Sequence, residues 1–263
     1  MPLIASQINV SRLGQAVIES ASFLVEPGQI VGLLGANGAG KSTLIAALAG
    51  ELAIQSGTVN YDDDALPTLS ALEQARCRAV LPQTPGLSFS LDVTQVVRMG
   101  AYPFDGVLSP AELNAIVDLA LRALKLDRLT ERFYLEMSGG EQQRVHLARV
   151  MVQVEAALLL HGQAYLLLDE PISSLDPAFQ HELMSFLFDY TRQKKVGVLM
   201  AMHDVNLAAR WCDAVMLLSS RRLQWQGSPA EVLTEANLSA TYGLSMRVMP
   251  HPLHQGRLLV LPP

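Results

Sequence analysis

The stretch GANGAGKST, residues 35–43, constrains this chain more than any other part of it. It fits the pattern G-x-x-x-x-G-K-[ST]. The apolar run IVGLL stands directly before it and the helical pattern KSTLIAALAG begins within it. A strand that ends in a glycine-rich loop and restarts as a helix turns successive backbone N–H groups inward, and the helix start adds its partial positive charge. Such a loop cradles the phosphates of a nucleotide. A chance glycine-rich turn would need neither flank. Gly35, Ala36, Asn37, Gly38, Ala39 and Gly40 are therefore expected to wrap the phosphates, with Thr43 in the same cradle. Lys41 is expected to reach the β- and γ-phosphates and Ser42 to ligate Mg²⁺.

The rest of the chain supplies a sheet for that loop. RAVLPQ (78–83), YLLLDEP (165–171) and VGVLMAMHD (196–204) read as short buried strands, and AVMLLSSRRLQWQG (214–227) as a strand, a turn and a second strand. Strands alternating with helices predict a parallel sheet covered on both faces, hence an α/β fold with a phosphate-loop NTPase core. The middle differs. In SPAELNAIVDLALRALKL, Ser109 is an N-cap, Pro110 takes the first helical position and Glu112 completes a capping box. Leu113, Ile116, Val117, Ala120, Leu121 and Leu124 then recur on one face. The expectation is a core of residues 1–87 and 154–235, an inserted helical subdomain at 88–153, and a C-terminal extension at 236–263.

Polar residues at the ends of the predicted strands carry the candidate chemistry. Asp169 is expected to hold Mg²⁺ through water, and Glu170 to act as general base on the attacking water. His203 is expected at the same sheet edge, touching the γ-phosphate and orienting that water. Gln83 ends its own strand in the same way and is expected to reach the metal or the water without carrying charge. The competing reading of each, a solvated side chain at a strand end, weakens once a phosphate loop shares the sheet. A second anion-binding turn, MSGGEQQR (137–144), lies far downstream and lacks its own Lys-Ser pair. Ser138, Gly139 and Gly140, with Glu141 following, are too distant from this chain's loop to share it easily. Two copies arranged head-to-tail would resolve the problem, each turn closing over the nucleotide of the other.

Composition sets the limits. Half of the 263 residues are apolar, which excludes a disordered chain. The formal charge of −6 argues against a general nucleic-acid binder. Cys77 and Cys212 lack paired spacing and read as small hydrophobes. The first residues lack a secretory signal pattern, and no run approaches the ~18 apolar residues of a membrane helix. The expected location is cytoplasmic, with any membrane role reached through a partner. His251 and His254 read as a solvated tail rather than as haem or metal ligands.

Taken together, GANGAGKST, Gln83, MSGGEQ, YLLLDEP, SSLD (173–176) and His203 resemble the ATPases of ATP-binding cassette (ABC) transporters, in order and over nearly the whole chain. The resemblance implies ATP and Mg²⁺ as cofactors, a homodimer, and a place for Asp176 in the loop that crosses the dimer interface. Two departures stand out: Met137 replaces the Leu usual in that signature, and NVSRLGQAV has no aromatic residue where the family stacks Tyr on adenine. Val10, Arg12 and Leu13 are offered there instead, and discrimination between ATP and GTP is expected to be weak. Softer likenesses, in RAVLPQTPGLSFSLDVTQVVRMGAYPF, MHDVNLAARWCD and the C-terminal stretch, are similar to the haem-importer ATPases, grouped with those for vitamin B12 and ferric siderophores. That group implies two copies of this chain beneath two membrane permease subunits, on the cytoplasmic face of the inner membrane, with a periplasmic binding protein delivering cargo. It also implies that residues 84–104, through Phe89, Leu91, Tyr102 and Phe104, help form the groove for a permease helix, the rival reading being ordinary subdomain core. Haem leads as cargo on resemblance alone, with vitamin B12 and ferric siderophores as alternatives. A non-transport ABC ATPase, such as an iron–sulfur assembly scaffold, is the reading from another class.

Overall fold

The computed structural model describes residues 2–83 and 86–262. Along the chain, β1 (Leu3–Arg12) and β2 (Gln15–Val25) form a hairpin, and β3 (Ile30–Leu34) feeds α1 (Lys41–Leu48) through the glycine-rich loop. β4 (Ser56–Tyr61), β5 (Asp64–Ala65) and α2 (Ala71–Cys77) lead to β6 (Arg78–Leu81). The helices α3 (Val93–Arg98), α4 (Pro110–Ala123) and α5 (Gly139–His161) follow. β7 (Ala164–Asp169), α6 (Pro177–Lys194), β8 (Val196–Ala201), α7 (Val205–Trp211), β9 (Ala214–Ser219) and β10 (Arg222–Gly227) complete the central part. α8 (Pro229–Val232), α9 (Glu235–Tyr242) and a ribbon of β11 (Arg247–Pro250) and β12 (Leu258–Leu261) close the chain.

The central sheet has the order β10-β9-β3-β8-β7-β6. β9, β3, β8, β7 and β6 run parallel and only β10 runs against them. Every residue of β3, β7 and β8 is buried, so these strands are continuous apolar runs, as a sheet covered on both faces requires. Strand alternation divides their side chains between two cores. Val31, Leu33, Leu167, Leu199 and Met216 face α1 and the β1–β2 layer. Ile30, Leu166, Val198, Met200 and Leu217 face α5 and the remaining helices.

A second, antiparallel sheet, β2-β1-β4-β5, covers one face of this core. The sequence reading did not contain it, nor the β11–β12 ribbon. The β1–β2 turn is the two-residue pair Leu13-Gly14, both at positive φ (51° and 77°), the signature of a type I′ hairpin. Its flanking alternation is interrupted by register shifts between Ala5 and Val10, which hide the period of two.

The helical segment matches its expected local features. Ser109 and Glu112 form the reciprocal capping box on α4, and Leu113, Ile116, Val117, Ala120, Leu121 and Leu124 are all buried. Between residues 88 and 153 the described residues contain only isolated bridges, such as Asp92 with Phe133, and no strand. α5 continues through residue 153 without a break, however, and its later residues Val154, Ala156 and Ala157 pack into the core beneath the sheet.

Candidate nucleotide site

β3, β7 and β8 are neighbours and parallel, so the residues beyond their C-terminal ends meet at one edge of the sheet. Beyond β3 lies the loop 35–40. Its last glycine, Gly40, caps α1 at φ 110°, and a β-carbon there would stand 2.9 Å from Val17 Cγ1. Both the backbone angle and the space call for glycine. No side chain caps α1, so its first N–H groups are left for a ligand. Lys41 is buried, and its Nζ donates to the carbonyls of Gly35 (2.9 Å) and Ala36 (3.3 Å). Burial pulls its ammonium below the usual range, against the opposing pull of Glu170 and Asp169.

Glu170 follows β7 with φ 53°, a left-handed conformation uncommon outside glycine, while its N–H still donates to Ala201 of β8. Two side chains from neighbouring strands engage its carboxylate: Gln83 Nε2 donates at 3.0 Å, and His203 Nε2 meets the other oxygen. Gln83 and His203 thus both converge on Glu170, a contact the sequence did not foretell. A cavity of about 580 Å³ holds Asn37, Gly38, Gly40, Lys41, Ser42, Thr43, Gln83, Glu170 and His203 together, with Arg12 and Val17 on its wall. Val17 was missed by the sequence reading, because nothing in an isolated valine separates a site wall from a strand interior.

Asp169 is buried beside this cavity. Burial pushes its carboxyl above the ordinary carboxylate range, and a hydrogen bond from Ser42 pulls it back only in part. Its Oδ1 has no hydrogen-bond partner. A buried carboxylate with an unused oxygen beside a serine hydroxyl offers oxygen donors of the kind Mg²⁺ takes. Ser42 and Asp169 could hold it, while Gln83 lines the cavity over Ser42 with its amide N–H on Glu170.

The second turn is elsewhere. Ser138 caps α5, and Glu141 Oε2 accepts from both its N–H and its hydroxyl at 2.8 Å. Gly139 faces open space, and a β-carbon on Gly140 would stand 3.3 Å from the Ser174 carbonyl. Ser138, Gly140 and Glu141 line a separate cavity of about 360 Å³ with Ser174 and Asp176. Asp176 in turn caps α6, and Gln180 fixes the loop before it by donating to the carbonyls of Ile172 and Leu175. Within one chain, the structure joins the signature turn to the SSLD loop and leaves it apart from the phosphate loop. Gln143, one helical turn on, donates to the Pro171 carbonyl and ties α5 to the segment that follows Glu170.

Residues 84–104 divide between their two readings, with Thr84 and Pro85 outside the described residues. Phe104 is fully buried and Leu91 partly so, both as core, whereas Phe89 and Tyr102 are 72% and 74% exposed. Tyr102 lines a groove of about 450 Å³ with Gln95, Arg98, Met99 and Asp105. Among the described residues, no helix is long and apolar enough to cross a membrane.

A phosphate loop at a parallel sheet edge, with polar residues from neighbouring strands gathered beside it, defines a P-loop ATPase. The chain belongs to the ABC transporter family, whose model matches residues 18–173, and it is an ABC-type ATPase. It is 50% identical over 99% of both chains to the hemin import ATP-binding protein HmuV of Bordetella avium, and 42% identical to that of Pseudomonas fluorescens over 98% of this chain and 99% of the relative. Its fold is similar to a solved ATP-binding subunit of an ABC transporter, with a TM-score of 0.78, 26% identity, and coverage of 92% of this chain and 95% of that one.

Proposed function

We propose that this chain is the ATP-hydrolysing subunit of a haem importer. The observation that carries the ATPase chemistry is the convergence of Lys41, Ser42, Gln83, Glu170 and His203 on one cavity. Support for haem as cargo is the full-length likeness to hemin import proteins. In this reading residues 1–87 and 154–235 hold the nucleotide, 88–153 form the arm that carries the signature turn, and 236–263 are an extension. The chain sits peripherally on the cytoplasmic face of the inner membrane, two copies beneath two permease subunits, with a periplasmic binding protein supplying haem. The exposed Tyr102 groove receives a permease helix.

The proposed reaction is in-line hydrolysis of ATP. The phosphates lie over the uncapped start of α1 and against Lys41, which leaves the Gly35 and Ala36 carbonyls to meet them. A bound Mg²⁺, held by Ser42, Asp169 and Gln83, would neutralise phosphate charge as a Lewis acid. Glu170 takes a proton from the attacking water as its oxygen bonds to the γ-phosphorus, and the bond to the bridging oxygen of ADP breaks. His203 and Gln83 hold the Glu170 carboxylate in line. Ser138, Gly139, Gly140 and Glu141 of a second copy close over the γ-phosphate, with Asp176 at the same seam.

Uptake into vesicles that contain the complete transporter tests the assignment. ATP-dependent accumulation of haem, lost with Glu170→Gln, is the expected result. Accumulation of vitamin B12 or a ferric siderophore in place of haem would refute the cargo and leave the chemistry intact.

A further inference from the structure

The three residues offered by NVSRLGQAV stand differently toward a ligand at the phosphate loop. Val10 is fully buried in the β1–β2 core, and Leu13 is 98% exposed at the hairpin tip. Leu13 reaches one cavity beside Gly38 and Ala39, whereas Arg12 lines each of three cavities around the loop. It lines the cavity over Lys41 and Ser42, and also the adjoining cavity that passes the first turn of α1 at Thr43 and Ala46. The third cavity runs past Gly38 and Ala39, so a base that leaves the phosphates through any of the three passes Arg12. Among the described residues the guanidinium has no hydrogen-bond or ion-pair partner, so its planar face is not already committed.

We propose that Arg12 lays its guanidinium plane against the base of the bound nucleotide and does the work of an aromatic platform. The inference rests on the ATP-binding reading of the phosphate loop. A guanidinium combines stacking with attraction between its charge and the ring's π-face, and it is more weakly hydrated than an ammonium. Stacking of this kind is indifferent to which purine is bound, because every base presents a π-face. Arg12 therefore contributes affinity for the base without reading its edge, and the chain accepts GTP nearly as well as ATP.

The test is titration of the full-length chain and of Arg12→Ala, Arg12→Lys and Arg12→Tyr with ATP, GTP and inorganic tripolyphosphate, each with Mg²⁺. The unmodified chain is expected to prefer ATP by less than about tenfold, or 1.4 kcal/mol. Arg12→Ala is expected to weaken ATP and GTP alike by about tenfold, the scale of one lost stacking contact, and tripolyphosphate by less than about twofold. Arg12→Lys, which keeps the charge but lacks the plane, should lose most of the same affinity, and Arg12→Tyr should restore it to within about threefold. An equal loss for tripolyphosphate would place the guanidinium on the phosphates and overturn the inference. So would unchanged ATP binding in Arg12→Ala, or an ATP preference of about a hundredfold or more. Lys41→Ala separates this from the reading beneath it: if that variant binds ATP normally, the phosphate-loop reading fails, whereas a silent Arg12→Ala removes only the base contact.

Discussion

The phosphate loop and the signature turn are both glycine-bearing helix starts, yet they treat their free N–H groups in opposite ways. At α1 no side chain caps the helix, Gly40 keeps the approach clear, and three neighbouring strands deliver Gln83, Asp169, Glu170 and His203 to the same edge. At α5 Ser138 caps the helix itself, and Glu141 accepts both the Ser138 N–H and its hydroxyl. The hydrogen bonds from Ser138 also hold the Glu141 carboxyl below the usual carboxylate range, so it stays charged. The first site is open and brings Lys41 together with the strand-end residues. The second is self-satisfied, and no lysine lines its cavity.

The largest way to break this contrast is Glu170→Gln. If Glu170 is the general base, loss of the carboxylate should slow ATP turnover by about 10² or more while Mg-ATP still binds. Turnover near the original rate in the purified transporter would remove Glu170 from its role. A mixture of Lys41→Ala and Gly140→Asp chains sharpens the contrast further. Each alone should be inactive, but the mixed dimer keeps one intact pairing, an unaltered Lys41 facing an unaltered Gly140, and should recover part of the hydrolysis rate.

A smaller effect separates function from stability at Asp169. Its folded carboxyl titrates above the unfolded value because of burial, so the unfolded chain loses its proton first as pH rises. The charged form thus costs folding stability at neutral pH. Asp169→Asn is expected to raise the Tm at pH 7 while abolishing Mg²⁺-dependent hydrolysis, and its stability advantage should vanish below the ordinary carboxylate range, where both states are protonated. A lower Tm for Asp169→Asn at pH 7 would contradict the burial argument. The smallest effect is expected far from either site. Ser109→Ala removes the α4 cap and should cost about 1 kcal/mol, with ATP affinity unchanged.

What the sequence made legible follows the same division. The loop, the buried parallel strands and the residues at their ends could be read directly, because burial on both faces writes strands as unbroken apolar runs and the phosphate loop has a fixed spacing. The capping box at Ser109 was equally visible, being local, whereas the one that Ser138 forms with Glu141 was passed over in favour of an anion-binding turn. The β1–β2–β4–β5 sheet was not read, because its bulges break the alternation that would mark a half-buried strand. Nor could sequence choose among Val10, Arg12 and Leu13. That choice depends on the hairpin's register, which buries the first, aims the second at the site and leaves the third on the tip.

The central claim is that the signature turn serves a nucleotide other than its own chain's. ATP titration of the isolated Gly140→Asp chain tests it most directly, with a Tm to verify folding, since Gly140 lies close to the Ser174 carbonyl. The added carboxylate would face a partner's γ-phosphate and repel it, so hydrolysis should be blocked. The account predicts that the isolated chain still binds ATP within about threefold of the unaltered protein, less than 1 kcal/mol. A folded Gly140→Asp chain that has lost about tenfold or more of its ATP affinity would show that the turn belongs to its own phosphate loop, and would contradict the split site.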